Sequence, residues 1–220
     1  MSILRQSTNL TSPARKLEGY VPVRTRGLQG MPAGPRKTVT LVLGGARSGK
    51  SRLAQELAST SRRVIFIATA RRSDAEMRAK IARHRRERPR SWKTIEAPRS
   101  LDRVLRERCR GADLLIIDCL TFYVANLMGR KRAERTPVRN QIESFCEAVR
   151  ETQASVIVVS NEVGSGVVPS FRSGRAYRDL LGEFNQQIAQ VADRVILMVA
   201  GLPLTLKDHA RARKMAGQKR

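Results

Sequence analysis

Aromatic residues make up only 4% of this 220-residue sequence, histidine occurs twice and cysteine three times. Each scarcity excludes something. With so few aromatics among the basic runs, there is no stacking platform for single-stranded nucleic acid. Cys109, Cys119 and Cys146 show neither metal-ligand spacing nor the even count of a disulfide framework, so they read as reduced, partly buried thiols. No apolar run approaches the roughly 18 to 20 residues that a bilayer crossing requires. Residues 1–37 also lack the apolar block of a signal peptide. Their seven Lys/Arg, one acidic residue and several Ser/Thr leave a transit peptide as the alternative to a simple leader, with the cytoplasm as the expected compartment.

Positive charge is in excess. Lys and Arg number 43 against 19 Asp and Glu, a formal net charge of +24, which invites a nucleic-acid partner through sequence-independent attraction to phosphate. The distribution argues against one: residues 1–37 carry +6 and residues 207–220 carry +5, so nearly half of the excess lies in two tails. Solvated basic tails are the simpler reading.

Pro13, Pro22, Pro32 and Pro35, without sustained periodicity, make residues 1–37 a flexible leader. Residues 38–206 are expected to form one domain, and 207–220 a basic tail. Apolar, β-branched runs predict strands at Thr38–Leu43, Val64–Ala68, Leu114–Ile117, Val156–Ser160 and Val195–Ala200. Helices are expected at Ser51–Thr60, Asp74–Arg86, Leu101–Arg110 and Gly174–Val191. Strands alternating with helices predict an α/β fold with a mostly parallel sheet covered by helices on both faces.

Gly44-Gly45-Ala46-Arg47-Ser48-Gly49-Lys50-Ser51 fits the phosphate-loop pattern of Gly, four residues, Gly-Lys-Ser/Thr without a gap. Its glycines let backbone N–H groups turn inward around phosphate oxygens, and the following helix points its positive end at the same charge. Lys50 would neutralise the β- and γ-phosphates, and the Ser51 hydroxyl would ligate Mg²⁺ carried by ATP or GTP. The preceding strand and following helix supply the context that the motif needs, so a P-loop NTPase-like fold is expected. Asp118, directly after Leu-Leu-Ile-Ile, fits the second acidic element that supports Mg²⁺; a satisfied strand-end Asp is the alternative.

Of the two histidines, His209 falls in the expected basic tail, which leaves His84 as the imidazole of the folded part. Met77, Ile81 and His84 recur at i, i+4 and i+7, one helical face, which also suits a packed core histidine. Arg83, Arg85, Arg86 and Arg88 tilt the reading toward an imidazole nucleophile beside a bound triphosphate, with a solvated basic helix still open.

Several segments together resemble the bifunctional adenosylcobinamide kinase / adenosylcobinamide-phosphate guanylyltransferase family of cobalamin biosynthesis. They are 43–52 (LGGARSGKSR), 67–70 (IATA), 74–77 (DAEM), 84–89 (HRRERP), Trp92 with Glu96, 118–121 (DCLT), 160–169 (SNEVGSGVVP) and 177–186 (YRDLLGEFNQ). The resemblance spans roughly residues 38–206. It implies two reactions: phosphorylation of adenosylcobinamide by ATP or GTP, then GMP transfer from GTP through a guanylylated His84. Such a nucleophile must be neutral, so activity is expected to fall in acid. By the same resemblance Ala68, Thr69, Ala70, Arg85, Arg86, Glu87, Arg88, Glu96 and Asp118 line the guanine-nucleotide site, and the enzyme is a homotrimer. Arg83 stands where some relatives carry a second histidine. Asn161-Glu162-Val163-Gly164, after a strand, is either a corrinoid contact or simply a turn. Two rivals to the whole reading are a small-molecule kinase without a covalent histidine and a nucleic-acid-binding ATPase.

Overall fold

A computed structural model describes residues 37–129 and 135–209. The expected leader up to residue 36 and the tail from residue 210 lie outside the described residues. The strands are β1 (Val39–Gly44), β2 (Val64–Ala68), β3 (Lys93–Glu96), β4 (Leu114–Asp118), β5 (Ser155–Val159), β6 (Arg194–Val199) and β7 (Leu202–Asp208). The helices are α1 (Lys50–Ala58), α2 (Ala75–Arg86), α3 (Leu101–Arg108), α4 (Leu120–Met128), α5 (Arg135–Glu151) and α6 (Arg172–Val191).

The strands form one sheet in the order β3-β2-β4-β5-β1-β6-β7, parallel except for the β6–β7 hairpin at one edge. The expected α/β architecture is therefore the observed one. Its two faces are covered unequally. Odd-numbered β1 residues such as Leu41 pack with Leu101, Tyr123, Phe145 and Phe184 beneath α3 to α6. Even-numbered Val42 packs with Phe66, Ile116, Ile157 and the α1 residues Leu53 and Leu57 on the other side. Burial on both faces is why these central strands read as unbroken apolar runs rather than as alternation. Tyr123, Phe145 and Phe184 meet with ring centroids 5.4 to 6.3 Å apart, so three of the few aromatics are spent in one core cluster.

Four elements have no counterpart among the sequence expectations: β3, α4, α5 and β7. The last changes a boundary. β7 runs to Asp208, and the His209 N–H donates to the Asp193 carbonyl at 2.9 Å. Lys207 and Asp208 thus belong to the sheet rather than to a tail beginning at 207, because antiparallel pairing with β6 satisfies their backbone. His209 is anchored beside them, not set in a detached tail. The turn is two residues, Ala200 (φ 50) and Gly201 (φ 83), both left-handed as such a hairpin requires.

Candidate active site

Register brings the distant site residues together. Pairing aligns Glu96 with Ala68, Ala68 with Asp118, Asp118 with Val159, and Val159 with Val42, one row across β3-β2-β4-β5-β1 at the carboxyl ends of the strands. The chain at 44–51 leaves β1 two residues beyond that row, at the edge of a parallel sheet where ligands bind.

The phosphate loop closes around its own lysine. Gly49 caps α1 with a left-handed backbone (φ 96), and Arg47 also has a positive φ of 57. Ser48 N–H donates to the Gly45 carbonyl at 3.3 Å, tightening the loop, and Leu53 N–H to the Gly49 carbonyl starts the helix. Lys50 is buried; its ammonium donates to the Gly45 carbonyl and, at 3.3 Å, to Ser48 Oγ. Burial holds its pKa below the usual lysine value, with Cys119 and Asp118 opposing the shift. An ammonium drawn from water and poorly compensated is one that an incoming phosphate would stabilise. Gly45, Ala46 and Arg47 are exposed, and Ser51 is half-buried in the first turn of α1.

Two features of this cradle escape sequence inspection. Gly44 has φ 147 and pairs with Met198 of β6, and a Cβ there would collide with the Met198 carbonyl oxygen and stand 2.7 Å from Ser48 Oγ. A Cβ at Gly49 would stand 3.4 Å from Met198 Cε and 3.7 Å from Gly201 Cα, so the β6–β7 turn supports the loop from beneath. Met198 carries no motif signal; only the sheet order brings it here.

Thr69 joins the ends of β2 and β4. It is fully buried, its hydroxyl donating to the Cys119 carbonyl at 2.6 Å and accepting from the Cys119 N–H at 2.8 Å. Its N–H donates to the Asp118 carbonyl at 3.1 Å, and its carbonyl accepts from Asn126 Nδ2 at 2.7 Å. Half-buried Asp118 is therefore held through its own carbonyl and through the residue that follows it. Ala70 follows at the rim. Glu96 is exposed on the edge strand and pairs with Arg72 at 2.5 Å, a partner that no spacing rule suggests.

The histidine segment is attached differently. Asp74 caps α2, accepting from the Met77 N–H at 2.8 Å, as its expected helix start requires. Met77, Ile81, His84 and Arg88 are the half-buried positions of the segment, and α2 has no buried residue. The single face is therefore real, and the alternative of a packed core histidine is not what forms. The imidazole Nδ1 lies 3.4 Å from the Glu87 carboxylate, and the His84 side chain is 35% exposed. Arg85 and Arg86 are exposed, whereas the Arg88 guanidinium stacks 3.4 Å from the Phe66 ring centroid, its Nε buried without a hydrogen-bond partner. Burial lowers the Arg88 pKa from its ordinary value, opposed by Asp118. Asp118 thus lies within electrostatic reach of both Lys50 and Arg88, the point where loop and histidine segment meet.

Residues 40–206 match the family described as cobinamide kinase / cobinamide phosphate guanyltransferase. The chain belongs to that family. The bifunctional adenosylcobalamin biosynthesis protein CobP of Pseudomonas aeruginosa is 44% identical over 168 residues, 76% of this chain and 96% of that protein. Its counterparts named CobU in Escherichia coli and Salmonella typhimurium are each 37% identical over 178 residues, 76% of this chain and 98% of theirs. Family membership makes this a bifunctional enzyme, a kinase and a guanylyltransferase of cobalamin biosynthesis. The match includes the phosphate loop, the histidine segment and the Asp118 strand end alike. Among the described residues no helix is long and apolar enough to cross a membrane.

Proposed function

We propose that the site first phosphorylates the aminopropanol hydroxyl of adenosylcobinamide and then attaches GMP to that phosphate through His84. The observation that carries the first step is the buried Lys50 ammonium enclosed by a phosphate loop, beside Asp118. The acceptor oxygen attacks the γ-phosphorus of ATP or GTP and the nucleoside diphosphate leaves. Loop amides and Lys50 hold the charge that shifts onto the leaving oxygen. Ser51 and Asp118 offer one hydroxyl and one carboxylate oxygen, the donors magnesium accepts, and the described residues hold no cluster of three acidic, His or Cys groups. Those two residues would therefore hold Mg²⁺ jointly with the nucleotide, and the ion supplies neutralisation of phosphate charge.

In the second step a nitrogen of His84 attacks the α-phosphorus of GTP, expelling pyrophosphate. The phosphate of adenosylcobinamide phosphate then displaces the imidazole, giving adenosylcobinamide-GDP. Glu87 facing Nδ1 favours the proton on that nitrogen and leaves Nε2 with its lone pair. Arg85, Arg86 and Arg88 would bind the triphosphate, with Ala68, Thr69, Ala70 and Glu96 forming the nucleotide rim. Incubating the protein with Mg²⁺ and α-labelled GTP tests this: acid-labile, base-stable label should survive denaturation on wild type and be absent from His84→Ala. Unlabelled wild type would leave only a kinase.

We also assign a cytoplasmic homotrimer. Val199, Leu202 and Leu204 are exposed, and the β6–β7 register puts them on one face at the sheet edge, an apolar stripe suited to a second copy.

A further inference from the structure

The acceptor of the kinase step is a large macrocycle whose reactive hydroxyl sits on a short arm, so a surface for the ring must lie near the phosphate loop. Three apolar side chains between β5 and α6 stand in solvent: Val167 is 96% exposed, Phe171 63% and Val168 57%. The backbone that presents them is fixed at both ends. At its start, the Glu162 N–H donates to the Gly44 carbonyl at 3.1 Å, and the Glu162 carboxylate accepts from the Gly164 N–H at 2.6 Å. The segment therefore departs from the first glycine of the phosphate loop.

At its far end, Arg175 Nη1 donates to the carbonyls of Pro169 at 3.0 Å and Ser170 at 2.6 Å. Phe171 and Pro169 close over Gly174 so tightly that a Cβ there would stand 2.6 Å from the Phe171 ring and 2.7 Å from Pro169 Cβ. Tyr177 Oη donates to the Thr121 carbonyl at 3.2 Å, pinning α6 beside the residues that follow β4. Phe171 precedes Tyr177 by six residues, so it lies about 9 Å further out along the helix axis. Single exposed apolar side chains are ordinary. Three within five residues, on a backbone braced at both ends and joined to the phosphate loop at its root, offer apolar area for a partner to cover.

We propose that Val167, Val168 and Phe171 form a ledge for the corrin macrocycle, leaving the aminopropanol arm to reach the phosphate in the loop. This inference rests on the kinase reading above. An extended macrocycle with an apolar plane and an amide fringe suits an open, rigid ledge better than a closed pocket, and the bond from Glu162 to Gly44 ties that ledge to the reacting phosphate. The two halves of 161–171 then divide the work. The 161–164 turn fixes position, and 167–171 makes contact.

The test compares the full-length wild type with Val167→Ser/Phe171→Ser by equilibrium titration against adenosylcobinamide and, separately, against ATP. Both side chains are exposed, so the fold should be unaffected. The ledge predicts a roughly tenfold weaker Kd for adenosylcobinamide and an unchanged Kd for ATP. Gly174→Ala, which displaces Phe171 without removing it, should act in the same direction. An unchanged adenosylcobinamide Kd in the double variant overturns the ledge, as does a loss shared equally with ATP. A change of sedimentation at unchanged corrinoid affinity also overturns it, making the segment a contact between copies. If wild type binds ATP but not adenosylcobinamide, the kinase reading falls and the ledge falls with it.

Discussion

Gly44→Ala perturbs the cradle at one atom, and the structure fixes both the direction and the size of the effect. The backbone there has φ 147, a region that side chains rarely adopt, and the new methyl would meet the Met198 carbonyl oxygen of the neighbouring strand. A residue forced into such a conformation costs of order 1–3 kcal/mol. The obstacle is backbone in a paired strand, so it cannot rotate away; moving β1 from β6 adds to the cost, for a total of about 2–4 kcal/mol. For a domain of this size that corresponds to a fall in Tm of about 5–15 °C. Gly45→Ala is the internal control: no atom lies within 4 Å of its Cβ and its φ is not in the positive region, so it should stay within about 0.5 kcal/mol of wild type. Differential scanning calorimetry without nucleotide measures both. Adding Met198→Ala to Gly44→Ala should not restore stability, because the clash is with the carbonyl. Equal melting of the two glycine variants, or rescue by Met198→Ala, would refute the argument.

Thr69→Val removes the hydroxyl that both donates to and accepts from Cys119, leaving the buried Cys119 N–H unpaired and its carbonyl with the Tyr123 N–H alone. About 1–3 kcal/mol of stability should be lost, together with nucleotide affinity as Asp118 shifts, and Thr69→Ser should restore both in denaturant titration and nucleotide binding. Arg88→Ala breaks the stack on Phe66, worth about 0.5–2 kcal/mol. Because α2 buries nothing of its own, amide hydrogen exchange should accelerate across Ala75–Arg86 while α1 and the central strands stay protected. Leu204→Lys places a charge in the exposed stripe of β7 and should lower the sedimenting mass without altering Tm of the dissociated chain.

The elements missed in the sequence share a physical cause. β3 is four residues of an edge strand, Lys-Thr-Ile-Glu, with one buried side chain, too short for alternation to register. Pro203 speaks against a strand at Leu202–Asp208, yet an edge position tolerates it. α4, Leu-Thr-Phe-Tyr-Val-Ala-Asn-Leu-Met, is apolar on nearly every side because it is wedged between α5, α6 and the sheet, which erases the helical period. α5 does keep its spacing, with Val138, Ile142, Phe145 and Val149 all buried, but its first turn contains Pro137 and no acidic residue to announce it.

By itself the sequence determined everything that depends on contiguous chain. The phosphate loop could be read because its chemistry resides in backbone amides whose turning is dictated by glycine spacing. The single face of α2 and its Asp74 cap were local for the same reason, and so was the alternation of strands and helices that fixes an α/β sheet. Tertiary structure decided the rest. Glu96, Ala68 and Asp118 stand in one row only because β3, β2 and β4 pair in that register. Thr69 grips the residue after Asp118 across fifty positions, Met198 supports a loop in β1, and Arg88 ties the histidine helix to a ring on β2. Each of those contacts depends on strand order, which is set by the combined burial of the central strands rather than by any one segment.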